Sequence, residues 1–402
     1  MGYKLKDLAK KIASGATPKG GANVYELAGI SFIRSQNILD FEFNDEGLAF
    51  INENQADKLS NVAIEGDDIL LNITGDSVAR CCVVPSKLLP ARVNQHVMLI
   101  RINKERVNPD YIFYYLQYIK KNLLQLSSGG ATRKALTKEM IENIEIRLPQ
   151  RSQQDETSRV LNTISLKILN NNAIISNLEA QAQAIFKSWF IDFEPFQDGE
   201  FVDSELGEIP KGWDVKKLGN FFKFVKGKKP KKIVSESQVS YMPYLVKKYI
   251  DGVEESYANP EHGIKINELN VFMLMDGANS GNIYYGYEGV LGSTFSLLEV
   301  LDSFSEEYIY WYLKKYELDI KSQNTGSAIP HANKDYIQSI KVPVPRDFNS
   351  LSIISFLKNI RLKSINLRKQ NVKLSEWRDI LLPKLMSGEI RVGQDNLEEI
   401  ED

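Results

Sequence analysis

The chain has 402 residues, 43% hydrophobic and 25% charged, which are globular values in a chain too long for one ordinary domain. Fifty basic residues against 52 acidic ones leave a formal charge of −2, which at first sight argues against a nucleic-acid binder. The only cysteines, Cys81 and Cys82, are adjacent, so a disulfide framework and a cysteine-ligated zinc site are excluded, and both read as small buried hydrophobes.

The opening MGYKLKDLAKKIASG has no apolar core of signal-peptide length, and no stretch approaches the ~18 apolar residues of a membrane span. A cytoplasmic protein without membrane contact is expected. A glycine-proline turn follows at Gly15–Lys19, then short β-rich runs at Asp68–Ile73 and Val97–Ile102. Asn108 and Pro109 read as the N-terminal turn of a helix over Asp110–Leu126. A polar loop, Ser127–Lys138, leads to a last strand ending at Pro149.

From Arg151 to Trp189 there is neither Gly nor Pro. Leu161, Ile164, Ile168, Ile175, Leu178, Ala182, Ile185 and Trp189 fall at the 3–4 spacing of a coiled-coil seam. A run of ~36 helical residues would span roughly 54 Å, a ruler more than a core. The stretch DFEPFQDGEFVDSELGEIPKGW then reads as an acidic crossing linker.

The second half repeats the first. DYIFYYL (Asp110–Leu116) returns 197 residues later as EYIYWYL (Glu307–Leu313). KEMIENIEIRLP (Lys138–Pro149) returns as KDYIQSIKVPVP (Lys334–Pro345), offset 196. GATPK (Gly15–Lys19) returns as GKKPK (Gly227–Lys231), offset 212, and DILLNITG (Asp68–Gly75) resembles NVFMLMDG (Asn270–Gly277), offset 202. Four matches in one order indicate a duplication. A helix over Glu306–Asp319 precedes the second polar loop, Gln323–Lys334. From about Leu351, Ile353, Ile360, Leu367, Leu374 and Leu381 recur in strict sevens. Asn171 aligns with Leu367, and Ile175 with Asn371, the kind of buried Asn that fixes register where two helices share a seam. The expected fold is α+β: two tandem α/β domains separated by long antiparallel coiled-coil helices, with an internal pseudo-twofold repeat. The expected divisions are 1–149, 150–195, 196–212, 213–345, 346–394 and an acidic tail, 395–402.

No Walker A, GxSxG or GxGxxG motif occurs, and His96, His262 and His331 match no metal spacing. They read as surface or loop residues. An enzyme duplicated in this way should repeat its catalytic residues, yet the polar residues that recur are Lys, Asn, Ser, Thr and Gly. These suit phosphates and base edges. The opening turn supplies Ser14, Thr17 and Lys19, and its copy Lys226, Lys228, Lys229, Lys231 and Lys232. Arg34, Gln36 and Asn37 are matched loosely by Lys247 and Lys248. The loop after Asp68–Ile73 adds Thr74, Ser77 and Arg80, with Asn279 and Ser280 in the second copy. The polar loops contribute Thr132, Arg133 and Lys134, then Asn324, Thr325, His331, Asn333 and Lys334.

NLEAQAQAIFKSWFIDFEP (Asn177–Pro195), SELGEIPKGWDVKKLG (Ser204–Gly219) and LLPKLMSGEIRV (Leu381–Val392) resemble the specificity subunit of type I restriction–modification systems, and the resemblance covers essentially the whole chain. It implies two target recognition domains, each followed by a conserved helical region. It further implies a non-catalytic subunit that brings two methyltransferase subunits and motor-nuclease (restriction) subunits to double-stranded DNA, where a bipartite asymmetric site is read in the major groove. S-adenosylmethionine, ATP and Mg²⁺ would serve those partners, with no cofactor bound by this chain. The alternatives are a duplicated adaptor for protein partners, or a divergent DNA methyltransferase or nuclease acting alone.

No arginine occurs between Arg159 and Arg346, so the second domain lacks the commonest guanine contact and is expected to favour A·T pairs. Phe190–Pro210 holds seven acidic residues and no basic one, and Asp395–Asp402 holds five and none. Near-neutrality is therefore a cancellation between acidic connectors and a modestly basic body. Weakly basic heads are expected to bind DNA weakly without partners.

Overall fold

The computed structural model describes residues 2–18, 24–128, 134–301, 306–326, 328–347 and 352–392. The chain forms two compact units: Met1–Asn170 together with Asn371–Asp402, and Asn171–Gln370. Each contains one head and one half of each long helix.

In the first head, the apolar runs ILLN and VMLIRI form central strands of a four-stranded antiparallel sheet, ordered Ala9–Ser14, Val97–Ile102, Ile69–Asn72, Cys81–Val83. Uninterrupted hydrophobicity marks a sheet covered on both faces. Ile69, Leu71, Cys81, Met98 and Ile100 enter one core, while Leu70, Cys82, Val97 and Leu99 enter another. The adjacent cysteines thus part to opposite faces, both buried and free. A three-stranded sheet, Ala49–Ile51, Ile30–Ile33, Ala91–Val93, closes the second core. Gly2–Lys4 pairs with Glu145–Arg147.

The second head repeats this topology. Phe222–Lys226, Phe295–Val300, Phe272–Leu274 and Ile283–Tyr284 form the four-stranded sheet in the same order. Tyr257–Ala258, Met242–Leu245 and Gly289–Leu291 reproduce the three-stranded one, including its parallel pair, with an extra strand on each edge. Trp213–Lys217 pairs with Lys341–Pro345 as Gly2–Lys4 does with Glu145–Arg147. The duplication holds at the level of single hydrogen bonds. Ile73 N–H donates to His96 O, and Met275 N–H to Thr294 O; Leu136 N–H donates to Ile73 O, and Ala332 N–H to Met275 O.

Asn108 caps its helix as expected, accepting from Asp110 N at 2.8 Å, with Pro109 in the first turn. The single helices expected over Asp110–Leu126 and Glu306–Asp319 are each two: Pro109–Tyr118 with Lys120–Ser127, and Glu306–Lys315 with Glu317–Ser322. The chain turns at Ile119 and Tyr316, both near φ −90° and ψ 10°, and the turn brings Leu123 and Ile320 to full burial. The stretch read as a linker also differs, because Phe201–Ser204 and Gly207–Pro210 pair as a hairpin. Ile209 and Phe201 anchor it in the core of the second head, an alternation outweighed in the sequence by the acidic residues.

The long helices run Arg151–Phe190 and Ser352–Ser387, and Leu351 lies outside the described residues. In the first unit Leu161 packs with Leu382, Leu385 and Met386, while Ile164, Ile168, Leu374 and Leu381 are half-buried. In the second unit Ile175, Ile360 and Leu367 are buried, Leu178 and Ile185 are partly covered, and Glu179 meets Arg368 at 2.5 Å. Asn171 is fully buried and Asn371 partly so. The strict sevens understate the buried face of the second helix, which also takes in Leu357, Arg361, Ser364 and Ile365. Leu357 and Ser364 complete the 3–4 alternation of the seam, whereas Arg361 and Ile365 are buried because the helix also packs on the head, at Glu307 and Gly286. Within the second unit, Phe186 and Phe190 enter the head's aromatic cluster, and Tyr312 OH donates to Phe190 O at 2.7 Å.

Candidate nucleic-acid interface

Three loops meet at one end of the strands of the four-stranded sheet in each head. The first follows the opening strand. Gly15 N–H donates to Asn94 O, and a Cβ on Gly15 would lie 1.7 Å from Val93 O. Gly227 makes an equally close approach, its N–H donating to Phe295 O at 2.9 Å and its Cβ position lying 2.1 Å from Gly292 O. Only glycine lets the strand end approach this closely, and that explains the match of GATPK with GKKPK. Ser14 ends the strand and Thr17 is exposed beyond it; Lys19 lies outside the described residues. Lys226, Lys228, Lys229, Lys231 and Lys232 are exposed around buried Gly227 and Pro230. Lys232 lies over Tyr241 at 5.9 Å. None of the other four makes an ion pair among the described residues.

The second loop follows the central strand. Ala79 (φ +67°) and Gly281 (φ +95°) occupy equivalent left-handed positions, and their N–H groups donate back to Asn72 and Leu274. Ser77 and Arg80 are half-buried on this turn, and Asn279 is exposed. Thr74 Oγ1 lies 2.7 Å from His96 Nδ1, and Gln95 Nε2 lies 3.1 Å from His96 Nε2. Thr17 Oγ1 donates to Gln95 Oε1 and joins the opening turn to this chain of bonds.

The third is the polar loop. Lys134 is exposed, and its carbonyl accepts from Gly75 N–H; Thr132 and Arg133 lie outside the described residues. In the second head Gly277 N–H donates to Pro330 O, Asp276 bridges His331, and Thr325 and His331 exchange backbone bonds. Lys334 is exposed over Phe224.

Several nominated residues serve the frame instead of the surface. Asn37 is fully buried, donating to Asn44 O at 3.0 Å and accepting from Arg34 N–H. Arg34 and Gln36 both donate to Gly47 O, and Arg34 stacks over Tyr25. Ser280 is buried, and its hydroxyl accepts from Asn324 Nδ2 at 2.8 Å. Asn333 caps the helix Lys334–Ser339, the place of Thr137 in the first head. Lys247 and Lys248 are paired with Asp251 and Glu254. The side-chain polar atoms of Asn37 and the hydroxyl of Ser280 are thus engaged within the frame, and Oδ1 of Asn333 is taken up by the cap. Gln95, His96 and Asp276 tie these loops together, and each is recognisable only through its bonding partner.

Among the described residues no group of three or more His, Cys, Asp or Glu is placed to hold a metal ion, and no helix is long and apolar enough to cross a membrane.

The family model described as the type I restriction modification DNA specificity domain matches residues 1–180 and 210–374. The chain is 29% identical over 407 residues to the type I restriction enzyme MjaIX specificity subunit of Methanocaldococcus jannaschii, covering 97% of this chain and 93% of that protein. It is 22% identical to the HindI specificity subunit of Haemophilus influenzae, covering 96% and 99%. A crystal structure of the S subunit of a type I restriction–modification system from M. genitalium has the same fold, with TM-score 0.57 at 15% identity over 96% of this chain and 95% of that one.

Proposed function

The chain belongs to the type I restriction–modification DNA specificity family, and from that premise we propose that its two heads each read one half of a bipartite, asymmetric site on double-stranded DNA. The repeated loop cluster carries this reading: the backbone frame is the same in both heads, while the side chains on it differ. A shared frame with different side chains suits two different half-sites. The exposed lysines at Gly227 would hold phosphates, and the loop side chains would meet base edges in the major groove.

The helical pair would set the unread spacer between half-sites. Two methyltransferase subunits and the motor-nuclease subunits would dock on the helices and adjoining head surfaces. The exposed Leu166, Leu169, Val372, Trp377 and Ile380 of the first unit, and Ile174 and Phe356 of the second, support such a role. Methyl transfer with S-adenosylmethionine and ATP- and Mg²⁺-dependent cleavage are assigned to those partners, and the cytoplasm to the complex.

The test is modified-base sequencing of DNA from cells making this chain with its methyltransferase. A split motif with an invariant spacer is expected, and exchange of Gly227–Lys334 for a foreign segment should change one half alone. Methylation without a split motif refutes the reading.

A further inference from the structure

The duplication provides an internal comparison at one point of the fold. In the first head, His96 has both ring nitrogens engaged, Nδ1 by Thr74 and Nε2 by Gln95. It is a closed brace. In the second head the equivalent of Thr74 is Asp276 and that of His96 is Thr294, as the matching backbone bonds establish. The histidine there comes from the polar loop instead, where His331 Nδ1 lies 2.8 Å from Asp276 Oδ1. An ionised carboxylate can only accept, so Nδ1 carries the proton and donates it. In the neutral ring the lone pair is then on Nε2. Among the described residues nothing bonds that atom, and the side chain is 50% exposed.

The ring is also well anchored. His331 and Thr325 exchange N–H···O bonds of 2.7 and 2.8 Å, and Ala332 N–H donates to Met275 O at 2.8 Å. Gly326, at φ +91°, leaves room for the imidazole, since a Cβ there would lie 3.0 Å from His331 Cδ2. Beside it lies a cavity of about 340 Å³ lined by Asn279, Ser280, Lys321, Asn324 and Pro330.

We propose that His331, oriented by Asp276, is a specificity-determining residue of the second head, presenting Nε2 as an acceptor to the exocyclic amino group of one base in the major groove. An acceptor held over one strand accepts adenine and rejects guanine, or accepts cytosine and rejects thymine, because only adenine N6 and cytosine N4 donate there. The first head carries no such open imidazole, so the two half-sites differ in how this position is read. The inference rests on the reading of the heads as DNA-binding.

The experiment uses the complete complex with its methyltransferase and a panel of duplexes in which each base pair of both half-sites is replaced in turn. His331→Ala should lower discrimination at one base pair of the second half-site by on the order of tenfold or more, leaving every other position unchanged. Asp276→Asn lets the amide face Nδ1 as donor or acceptor, which frees the tautomer and should relax the same position. His331→Gln, which keeps an acceptor, should retain the wild-type preference. Unchanged discrimination at every base pair in His331→Ala and Asp276→Asn overturns the proposal. So does equal weakening on all duplexes, which marks a loop support or phosphate contact. Discrimination at the first half-site reports that the variant complex is assembled, and the isosteric Asp276→Asn decides the question if the alanine variant is not. A wild-type complex with no preference in the second half-site would refute the DNA-reading role of that head instead.

Discussion

Arg361→Met should destabilise the second unit strongly and with a pH dependence of known sign. Glu307, fully inside the head, meets Arg361 from the second long helix at 2.7 Å, with side chains 1% and 5% exposed. Arg361 also donates to Leu269 O at 2.9 Å and lies 5.1 Å from the Tyr285 ring. Removing one partner of a buried pair costs about 3–5 kcal/mol, and leaving a buried carbonyl without its donor adds about 1 kcal/mol, giving about 4–6 kcal/mol at high pH. Burial pushes the Glu307 carboxyl from its ordinary 4.5 up to about 7, against the opposing pull of Arg361. A carboxyl raised in the folded state binds its proton more tightly there, so it lowers stability as pH rises from about 4.5 to about 7. Without Arg361 that window extends upward. The deficit relative to the parent chain should therefore be small at pH 5.5 and full at pH 8.5. Guanidinium unfolding followed by tryptophan fluorescence can measure it, because Trp189, Trp213 and Trp311 lie in this unit, while Trp377, in the other, is 58% exposed. Equal deficits at both pH values, or less than about 1 kcal/mol at pH 8.5, would refute the argument. Pairing Arg361→Met with Glu307→Leu should recover most of the loss, since no charge is then left buried.

Gly227→Ala forces a Cβ toward Gly292 O, 2.1 Å away, and should cost at least about 1–3 kcal/mol in the same assay and abolish second half-site preference; an unchanged midpoint would contradict the close approach. Replacing Lys228, Lys229 and Lys231 by Gln should flatten the dependence of log affinity on log salt by up to about 0.9 for each phosphate no longer neutralised, measured on the complete complex, and an unaltered slope removes them from the phosphates. Burial pushes the thiols of Cys81 and Cys82 up, so both should resist a thiol reagent at pH 8 until denaturant is added. Rapid labelling of the native protein would be inconsistent with that burial.

Much of the frame was legible because backbone constraints leave strong local marks. Gly15–Lys19 reads as a turn, Asp68–Ile73 and Val97–Ile102 as strands, and Asn108-Pro109 as a helix start. The break at Ile119 was not legible, since the apolar pattern runs through it and only the destination of Leu123 requires a turn. The surface was harder for a chemical reason. An asparagine that caps a helix, such as Asn333, has the same side chain as one that could meet adenine, and only its bonding distinguishes them. Pairs formed across the chain, such as His331 with Asp276, 55 residues apart, leave no spacing to recognise.

The first unit is assembled from the two ends of the chain, whereas the second is one continuous segment. During synthesis the apolar face around Leu161 leaves the ribosome long before Leu382, Leu385 and Met386 exist to cover it. At ~5–20 residues per second that interval is roughly 10–45 s. The head made first is thus the one completed last. Over that interval its exposed face is open to chaperones or to a premature partner, and a chain truncated anywhere before Leu382 would display that face permanently.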